Sequence, residues 1–292
     1  MVLGMAQSVK RKVKYNRMPE LPEVETIRRQ LESAVKGRKI AGVEVRYAGR
    51  LNVPAAVFAK TIEGASFESF GRRAKLLLSH LSNGWTIVTH LKMTGQYLLK
   101  PGGAAPGKHV HVAFKLDDGR LLFFDDTRKF GYLKLVKTSE LEEKIFAKEK
   151  YGPEPLEPSF TFERFKTCVA ARPKKKIKQL LMEQSCIAGV GNIYADEACW
   201  YGAVRPTRRE GTLTEAELRG VYKGTLDSLK AAVRARGSSV DSYLDLYGKE
   251  GEYVPRLKVY DRAGKKCDRC GGIIKKIRIG SRGAHYCPKC QH

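Results

Sequence analysis

Four cysteines near the C-terminus have the spacing of a metal site, Cys267-x2-Cys270 and, sixteen residues later, Cys287-x2-Cys290. Zinc prefers four soft ligands in a tetrahedron, and each pair bends the chain around one edge of it. Four thiolates leave no open position for a substrate, so the predicted zinc ion is structural. The isoleucine-rich stretch between the pairs predicts a hairpin whose tip, residues 280–283, projects Arg282 toward a phosphate or an extruded base.

The other three cysteines, Cys168, Cys186 and Cys199, stand alone in helical-looking sequence. An odd total of seven fits a reducing compartment with free thiols and a metal site better than a disulfide framework. The sequence has no apolar run of about 18 residues that could span a bilayer, and it lacks the apolar core of a secretory signal. A cytoplasmic location is therefore expected.

The charge balance favours a polyanionic partner. The 292 residues include 55 lysines and arginines against 31 acidic residues, a formal net charge of +24. Each neutralised phosphate releases counterions and adds affinity without regard to sequence. Charge alone separates neither DNA from RNA nor an enzyme from a binding protein, and a ribosome-associated or merely basic protein remains an alternative.

Hydrophobic periodicity predicts a helix first and then strands. A helical period begins at Glu23 and ends at Gly37. Alternating runs such as 109–116 follow, with hairpin turns at 83–84 and 118–119. Several strands of this kind predict an antiparallel sandwich or barrel.

After Thr138 the period becomes helical again, with helices near 160–171, 175–185, 192–202 and 215–236. The predicted fold class is α+β with two domains. The expected division is a disordered or non-native extension at 1–17, a β-sandwich with an opening helix at 18–150, a proline-rich linker at 151–158, a helical domain at 159–255 and the zinc hairpin at 256–292.

Further motifs follow one another in a fixed order, namely MPELPEVET at 18–26, RAK at 73–75, HLKMTG at 90–95, RKFG at 128–131, GPEPL at 152–156 and GVGNIY at 189–194. With the four-cysteine finger, this order resembles the formamidopyrimidine-DNA glycosylase family of the Fpg/Nei type, bifunctional glycosylases and abasic-site lyases. The resemblance covers essentially the whole chain from Met18. It implies a β-sandwich, a helix–two-turn–helix domain and a zinc hairpin, and Leu21 favours the branch that acts on oxidised purines.

The resemblance implies four catalytic groups. Pro19 would be the nucleophile, because an α-amine with a pKa of about 8 is far less protonated near pH 7 than a lysine of about 10.4, and a secondary amine forms an iminium. Glu20 would be the general acid/base. Lys75 would contact phosphate and assist proton transfer, and Arg282 would hold phosphate and assist the second elimination. From residue chemistry alone, Pro19 would merely stiffen the start of a helix and Lys75 would be a solvated lysine.

Excision also requires that the base be extruded and the vacated space filled. The resemblance implies DNA contacts by six residues: Met93, His109, Arg128, Phe130, Lys174 and Asn192. The alternative for Met93 and Phe130 is burial in the core.

A helix beginning at Asn192 after two close glycines would present free N–H groups to a phosphate, and Lys178 nearby favours such a site. A plain turn between helices is the alternative.

Two departures from the family pattern stand out. Eighteen residues precede Pro19, and a proline inside a peptide bond has no amine. Either translation starts at Met18, or the extension is removed, or the chain is not a lyase by this route. A family lysine also falls on Pro173, so its DNA contact passes to the neighbouring Lys174.

The sequence therefore predicts a monomeric enzyme that excises 8-oxoguanine and formamidopyrimidines from double-stranded DNA and nicks the abasic site. It implies one structural zinc ion and no organic cofactor. The alternatives are an oxidised-pyrimidine glycosylase of the same fold, a catalytically inactive damage-binding protein and an RNA-associated zinc-ribbon protein.

Overall fold

The computed structural model describes residues 18–292, and the predicted extension at 1–17 lies outside the described residues. The chain opens with helix α1 (Leu21–Val35). At its start the backbone N–H of Glu20 donates to the Glu23 carboxylate at 2.9 Å, which caps the first turn. Gly37, with φ of +79°, follows the helix at the predicted position.

Two four-stranded antiparallel sheets follow, in the orders β1-β6-β7-β5 and β2-β3-β4-β8. Their elements are β1 (Ile40–Val45), α2 (Ala55–Ile62), β2 (Phe67–Arg73), β3 (Leu76–Leu81), β4 (Trp85–His90), β5 (Gly95–Lys100), β6 (Val110–Leu116), β7 (Leu121–Asp126) and β8 (Tyr132–Lys137). The predicted sandwich and both predicted hairpin turns are confirmed. Helix α2 was not predicted, and it packs Phe58 and Ile62 into the core.

Strand β6 differs from the simple alternation in its sequence. Only Lys115 of this strand is exposed, and His111 is buried. The imidazole lies against Tyr47 and Phe124, with ring centroids 4.7 and 6.0 Å away. Because β6 is a central strand with side chains packed over both faces, a polar residue in the pattern does not mark an exposed face there.

The second half of the described chain is helical and ends in a hairpin. Short helical turns at Thr138–Glu140 and Glu142–Phe146 lead to α3 (Ala147–Glu149), α4 (Phe162–Ala170), α5 (Ile177–Met182), α6 (Asn192–Tyr201) and α7 (Glu215–Arg234). Short turns at Glu210–Thr212 and Val254–Arg256 flank the segment around α7, and the chain finishes with β9 (Lys275–Ile279) and β10 (Arg282–Tyr286). Within residues 18–292, every helix is too short or too polar to cross a membrane.

The expectation of three free thiols is wrong for two of them. Cys168 at the end of α4 and Cys186 after α5 form a disulfide, and Cys199 remains a buried thiol. Eighteen residues separate the bonded pair. The packing of α4 against the chain that follows α5 brings them together, and no local sequence pattern encodes that packing.

Contacts between the two halves are built from charged and apolar groups. Arg72 on β2 pairs with Glu25 on α1 at 3.1 Å and with Glu154 in the linker segment at 2.5 Å, and all three side chains are largely buried. The helical half also contributes apolar contacts to the sandwich, because Tyr243 and Leu246, which follow α7, pack into the sandwich core. The halves are therefore held at a defined angle, with a cleft between them.

Candidate active site and DNA interface

The carboxylate of Glu20 lies at the N-terminus of α6. It accepts hydrogen bonds from the backbone N–H groups of Gly191, at 2.8 Å, and Ile193, at 2.9 Å. The first N–H groups of α6 therefore hold a carboxylate, and the expectation that they are free for a phosphate is wrong. A helix N-terminus stabilises negative charge, so the site suits an anion supplied by the protein itself.

Burial raises the pKa of Glu20 to about 7. The positive charge of Lys75 opposes this shift, the neighbouring Glu23 adds to it, and the N–H donors of α6 lower the pKa. Glu20 therefore exchanges its proton near neutral pH, which is the property that a general acid/base requires.

Lys75 follows the left-handed residue Ala74 in the turn between β2 and β3. It is buried, so the alternative of a solvated lysine is wrong. Burial lowers the pKa of its ammonium, while Glu20 and Glu23 raise it and Arg282 lowers it further. Lys75 lines the same cleft as Glu20 and Arg282.

Gly191 has no side chain because there is no room for one. A Cβ atom there would lie 2.4 Å from the Cδ atom of Glu20 and 2.6 Å from the Nζ atom of Lys75. Gly189, with φ of +84°, supplies the sharp turn that the sequence predicted, and its Cβ would strike Leu21. The two glycines thus serve different purposes, one for backbone conformation and the other for close approach of functional groups.

One cleft collects the groups that the sequence placed far apart. Its lining includes Met18, Glu20, Lys75, Asn192, Tyr260 and Arg282. Tyr260 was not predicted; its hydroxyl accepts a hydrogen bond from the Asn192 side chain at 3.3 Å. The other polar atom of that amide, Oδ1, is buried without a hydrogen-bond partner among the described residues, so Asn192 keeps an unused polar group at the cleft.

The zinc hairpin is shorter at its tip than predicted. Arg282 is the first residue of β10 and pairs with Ile279, so only Gly280 and Ser281 form the turn. Arg282 therefore projects from a hydrogen-bonded strand, which fixes its backbone more firmly than a loop would.

Pro19 is buried beside this cleft. Together with Met18 it lines a small neighbouring cavity with Glu23, Ser238 and Tyr243. The Glu23 carboxylate accepts hydrogen bonds from the Tyr194 hydroxyl and the Ser238 N–H, both at 2.7 Å. Burial raises the pKa of Glu23.

Sequence reasoning missed Glu23. An acidic residue in the first turn of a helix is ordinary, and its partners Tyr194 and Ser238 lie 171 and 215 residues away. Only the folded chain shows that this carboxylate joins α1, α6 and the segment after α7.

Met93, Arg128 and Phe130 lie together, as their shared assignment requires. The Arg128 guanidinium donates to the Met93 sulfur at 3.4 Å and lies 5.0 Å from the centre of the Phe130 ring. Phe130 is 39 % exposed, so the alternative of a core phenylalanine is wrong. Met93 is half-buried, so it is not fully enclosed in the core either. The three adjacent side chains form an apolar and cationic wedge.

The remaining predicted DNA contacts are more scattered. The His109 carbonyl accepts the Asp126 N–H at 2.9 Å, which sets this histidine beside the turn that carries Arg128. Lys174 is exposed in the turn between α4 and α5, outside the lining of the cleft.

His90 was given no role by the sequence analysis. Burial, together with the charges of Lys92 and Lys75, lowers its pKa to about 3, so it is a neutral imidazole.

Lys178 does not belong to a phosphate site. Its side chain is only 1 % exposed, and its ammonium lies 2.6 Å from an Asp196 carboxylate oxygen. The prediction was wrong because the helical pattern of α5 places this lysine on the inner face, where a buried carboxylate neutralises it.

The four predicted metal ligands are assembled for one ion. The sulfur atoms of Cys267, Cys270, Cys287 and Cys290 all lie within 4.8 Å of one another. The Cys267–Cys290 and Cys270–Cys287 sulfur pairs are 3.7 and 3.4 Å apart. Tetrahedral zinc with bonds of about 2.3 Å needs sulfur atoms roughly 3.8 Å apart, so the cluster fits a single structural zinc ion.

Comparisons with known proteins agree along the chain. Family models described as the formamidopyrimidine-DNA glycosylase N-terminal domain, its H2TH domain, and the zinc finger found in FPG and IleRS match residues 18–133, 151–243 and 264–292. The formamidopyrimidine-DNA glycosylase of Lactiplantibacillus plantarum is 42 % identical over 271 residues, covering 93 % of this chain and 98 % of that protein.

Solved structures agree as well. Lactococcus lactis Fpg in complex with DNA containing an abasic site is 36 % identical, with a TM-score of 0.88, and the match covers 94 % of this chain and 99 % of that one. The wild-type Lactococcus lactis protein in complex with DNA containing an oxidised pyrimidine is 36 % identical, with a TM-score of 0.86. That match covers 94 % of this chain and 100 % of the other. The chain described here therefore belongs to the formamidopyrimidine-DNA glycosylase family.

Proposed function

We propose that this protein is a base-excision repair enzyme that removes oxidised purines from double-stranded DNA and cleaves the resulting abasic site. The observation that carries the proposal is the convergence of Glu20, Lys75 and Arg282 on one cleft beside Pro19. An acid that titrates near neutral pH, two cations and an N-terminal amine are the groups that lyase chemistry on a sugar needs.

In the proposed reaction the Pro19 nitrogen attacks C1′ of the damaged nucleotide. The glycosidic bond breaks, and the base departs with the bonding electrons and takes up a proton. The Pro19 nitrogen loses its own proton, and Glu20 donates a proton to the ring oxygen O4′. The C1′–O4′ bond then opens as the nitrogen lone pair forms the iminium with C1′. Loss of the C2′ proton expels the 3′-phosphate, and loss of the C4′ proton expels the 5′-phosphate.

The cations assist the two eliminations. Lys75 and Arg282 both lie at the cleft, where they neutralise phosphate charge as it develops on the leaving groups. Lys75 also lies beside Glu20, so it can pass protons to and from that carboxylate. Zinc takes no part in these steps and stabilises the hairpin that carries Arg282.

The half-buried side chain of Met93 and the exposed side chains of Arg128 and Phe130 are proposed to enter the duplex and replace the extruded base. Asn192 and His109 would contact the backbone near the lesion, and Lys174 would contact it farther along. The net charge of +24 supplies sequence-independent affinity.

The chemistry requires that Pro19 be the first residue. Met18 lines both the cleft and the adjoining cavity, so the residue that precedes Pro19 occupies space next to its nitrogen. We therefore expect the working form to begin at Pro19, after translation from Met18 and removal of that methionine. The full 292-residue form would bind DNA without forming the iminium.

Under the expected domain division, 18–150, 151–158, 159–255 and 256–292, the cleft would be lined by the first domain on one side and by the helical domain and the zinc hairpin on the other. Action as a monomer on genomic DNA in the cytoplasm of a bacterial-type cell belongs to the same proposal. The complex of the Lactococcus lactis relative with DNA containing an oxidised pyrimidine supports a second candidate, an enzyme that also accepts oxidised pyrimidines.

Incision assays on matched duplexes test the substrate class. The duplexes carry 8-oxoguanine, a formamidopyrimidine, an oxidised pyrimidine or an undamaged base at one position. We expect rapid cleavage of the purine lesions, with phosphate at both ends of the gap. Faster cleavage of the oxidised pyrimidine would favour the second candidate, whereas tight binding without cleavage would leave only a damage-binding protein.

A further inference from the structure

A buried ionic network joins the zinc hairpin to α5 and α6. The Lys178 ammonium on α5 donates to Asp196 at 2.6 Å and to the Gly283 carbonyl oxygen at 2.7 Å. The other oxygen of Asp196 accepts the backbone N–H of His285 at 2.8 Å and lies 3.1 Å from its Nδ1 atom. The side chains of Lys178, Asp196 and His285 are 1 %, 0 % and 4 % exposed.

The network contacts β10 on both sides of Ala284, directly after Arg282. Two contacts on one short strand, at Gly283 and His285, keep β10 from sliding along its axis and from rotating about it. The side chain of Arg282 itself remains exposed and free to reach DNA. The direction in which Arg282 enters the cleft is therefore set by Lys178 and Asp196.

The same helix that provides Asp196 also holds Glu20. The first turn of α6 binds the Glu20 carboxylate through Gly191 and Ile193, and Asp196 lies one turn farther along. A single rigid helix thus fixes the general acid at one point and the strand that carries Arg282 at the next.

We propose that Lys178 and Asp196 are positioning residues that align Arg282 with Glu20 for the second elimination. This inference rests on the proposed function. A purely structural explanation accounts for it less well, because replacing a buried ion pair by neutral groups is often harmless to stability. A helix that positions both Glu20 and Arg282 explains the ion pair better, since a misplacement of a reacting group by about 1 Å can lower the rate on the order of 10²-fold.

The test is a mutant cycle on the protein that begins at Pro19. The first variant is Lys178→Met/Asp196→Asn, which is neutral, keeps an acceptor for His285 and removes the bond to Gly283. The second is Arg282→Ala, and the third combines all three changes. The control, Lys223→Gln/Asp227→Asn, removes an exposed ion pair on α7.

Single-turnover cleavage of abasic DNA is measured with separation of the first and second elimination products. Zinc content, thermal unfolding and affinity for DNA carrying an uncleavable abasic analogue are measured in parallel. We expect the network variant to slow the second elimination by roughly tenfold to 10²-fold. Its zinc content and DNA affinity should match those of the control.

The cycle decides how the network acts. If it acts through Arg282, the combined variant is no slower than the slower of its parents, because the two changes remove one function. Multiplicative losses would overturn the proposal, as would a network variant that cleaves at the unmodified rate. If the double change abolishes zinc binding, Asp196→Asn alone provides the same cycle with Lys178 kept in place.

The outcomes separate this inference from the proposed function. Failure of the unmodified Pro19 form to cleave abasic DNA would remove the function itself. Normal cleavage by that form together with independent effects of the network would remove only the positioning role.

Discussion

At the scale of single residues, the site depends on a carboxylate kept partly protonated near pH 7. Burial alone would raise the pKa of Glu20, and the Lys75 charge and the N–H donors of α6 limit the rise to about 7. The protonated acid opens the sugar ring, so the rate of ring opening should fall as pH rises through about 7.

Replacing Lys75 tests this balance. Because the Lys75 charge lowers the pKa of Glu20, Lys75→Met should raise that pKa and move the alkaline limb of the rate of ring opening to higher pH. The maximal rate should fall at the same time. The pH profile of single-turnover iminium formation, followed by borohydride trapping on DNA with a preformed abasic site, measures both effects, and Lys92→Met serves as a control for a nearby cation. An alkaline limb that stays in place or moves to lower pH would contradict the assignment to Glu20.

Gly191 gives a second prediction at this scale. A methyl group there would meet the Glu20 carboxyl and the Lys75 amine at about 2.4–2.6 Å, so Gly191→Ala should displace both. We expect the cleavage rate to fall on the order of 10²-fold. The free energy of unfolding should fall by about 1–3 kcal/mol, because displacement of Glu20 leaves buried N–H groups of α6 without their acceptor. Gly107→Ala, at an exposed position with open space around it, is the comparison for an alanine outside the cleft. Full activity of Gly191→Ala would show that the close approach is unimportant.

At the scale of elements, several features followed from local pattern. The opening helix, the hairpin turns and the four-cysteine module each depend on residues close in sequence. What could not be predicted depends on packing between distant elements. Glu20 fills the N-terminus of a helix 171 residues away, and Lys178 faces Asp196 instead of solvent.

The resemblance to a family located most of the cleft, because its motifs carry the residues that converge there. It did not give the roles of Glu23, which lies in the first motif without an assigned function, and of Tyr260, which lies in none of the motifs. Nor did it predict the Cys168–Cys186 disulfide. Cysteine spacing in sequence carries no signal for a single cross-link between a helix end and a turn.

The disulfide gives a prediction at the element scale. It closes a loop of 18 residues, so reduction should lower the free energy of unfolding by about 3 kcal/mol through the entropy of the unfolded chain. Urea unfolding with and without reductant measures this difference, and Cys186→Ser should unfold at the same urea concentration in both buffers. A Cys199→Ser variant should retain the reductant effect. Two reactive thiols at 168 and 186 in oxidised protein would contradict the cross-link.

At the scale of the whole molecule, the cleft exists only while the two halves keep their relative placement. Arg72 contributes most directly, since it neutralises Glu25 on α1 and Glu154 in the linker segment from a nearly buried position. The segment after α7 adds a second contact through Tyr243 and Leu246.

Removing Arg72 should therefore weaken the whole assembly. Arg72→Met leaves two largely buried carboxylates without this partner, and we expect a loss of about 3–5 kcal/mol in the free energy of unfolding. Arg219→Met, which removes an exposed pair with Glu215 on α7, should cost less than about 1 kcal/mol. Urea unfolding followed by far-UV circular dichroism gives both values. Equal losses for the two variants would argue against a joining role for Arg72.

The central claim is that the free amine of Pro19 attacks the sugar. Borohydride trapping on a duplex with 8-oxoguanine opposite cytosine tests it, using the 292-residue form beside the form produced from Met18 without its initiator methionine. We predict a covalent adduct only from the shorter form, with its mass locating the DNA on Pro19. Adducts from neither form despite tight binding, or equal adducts from both, would contradict the proposed nucleophile.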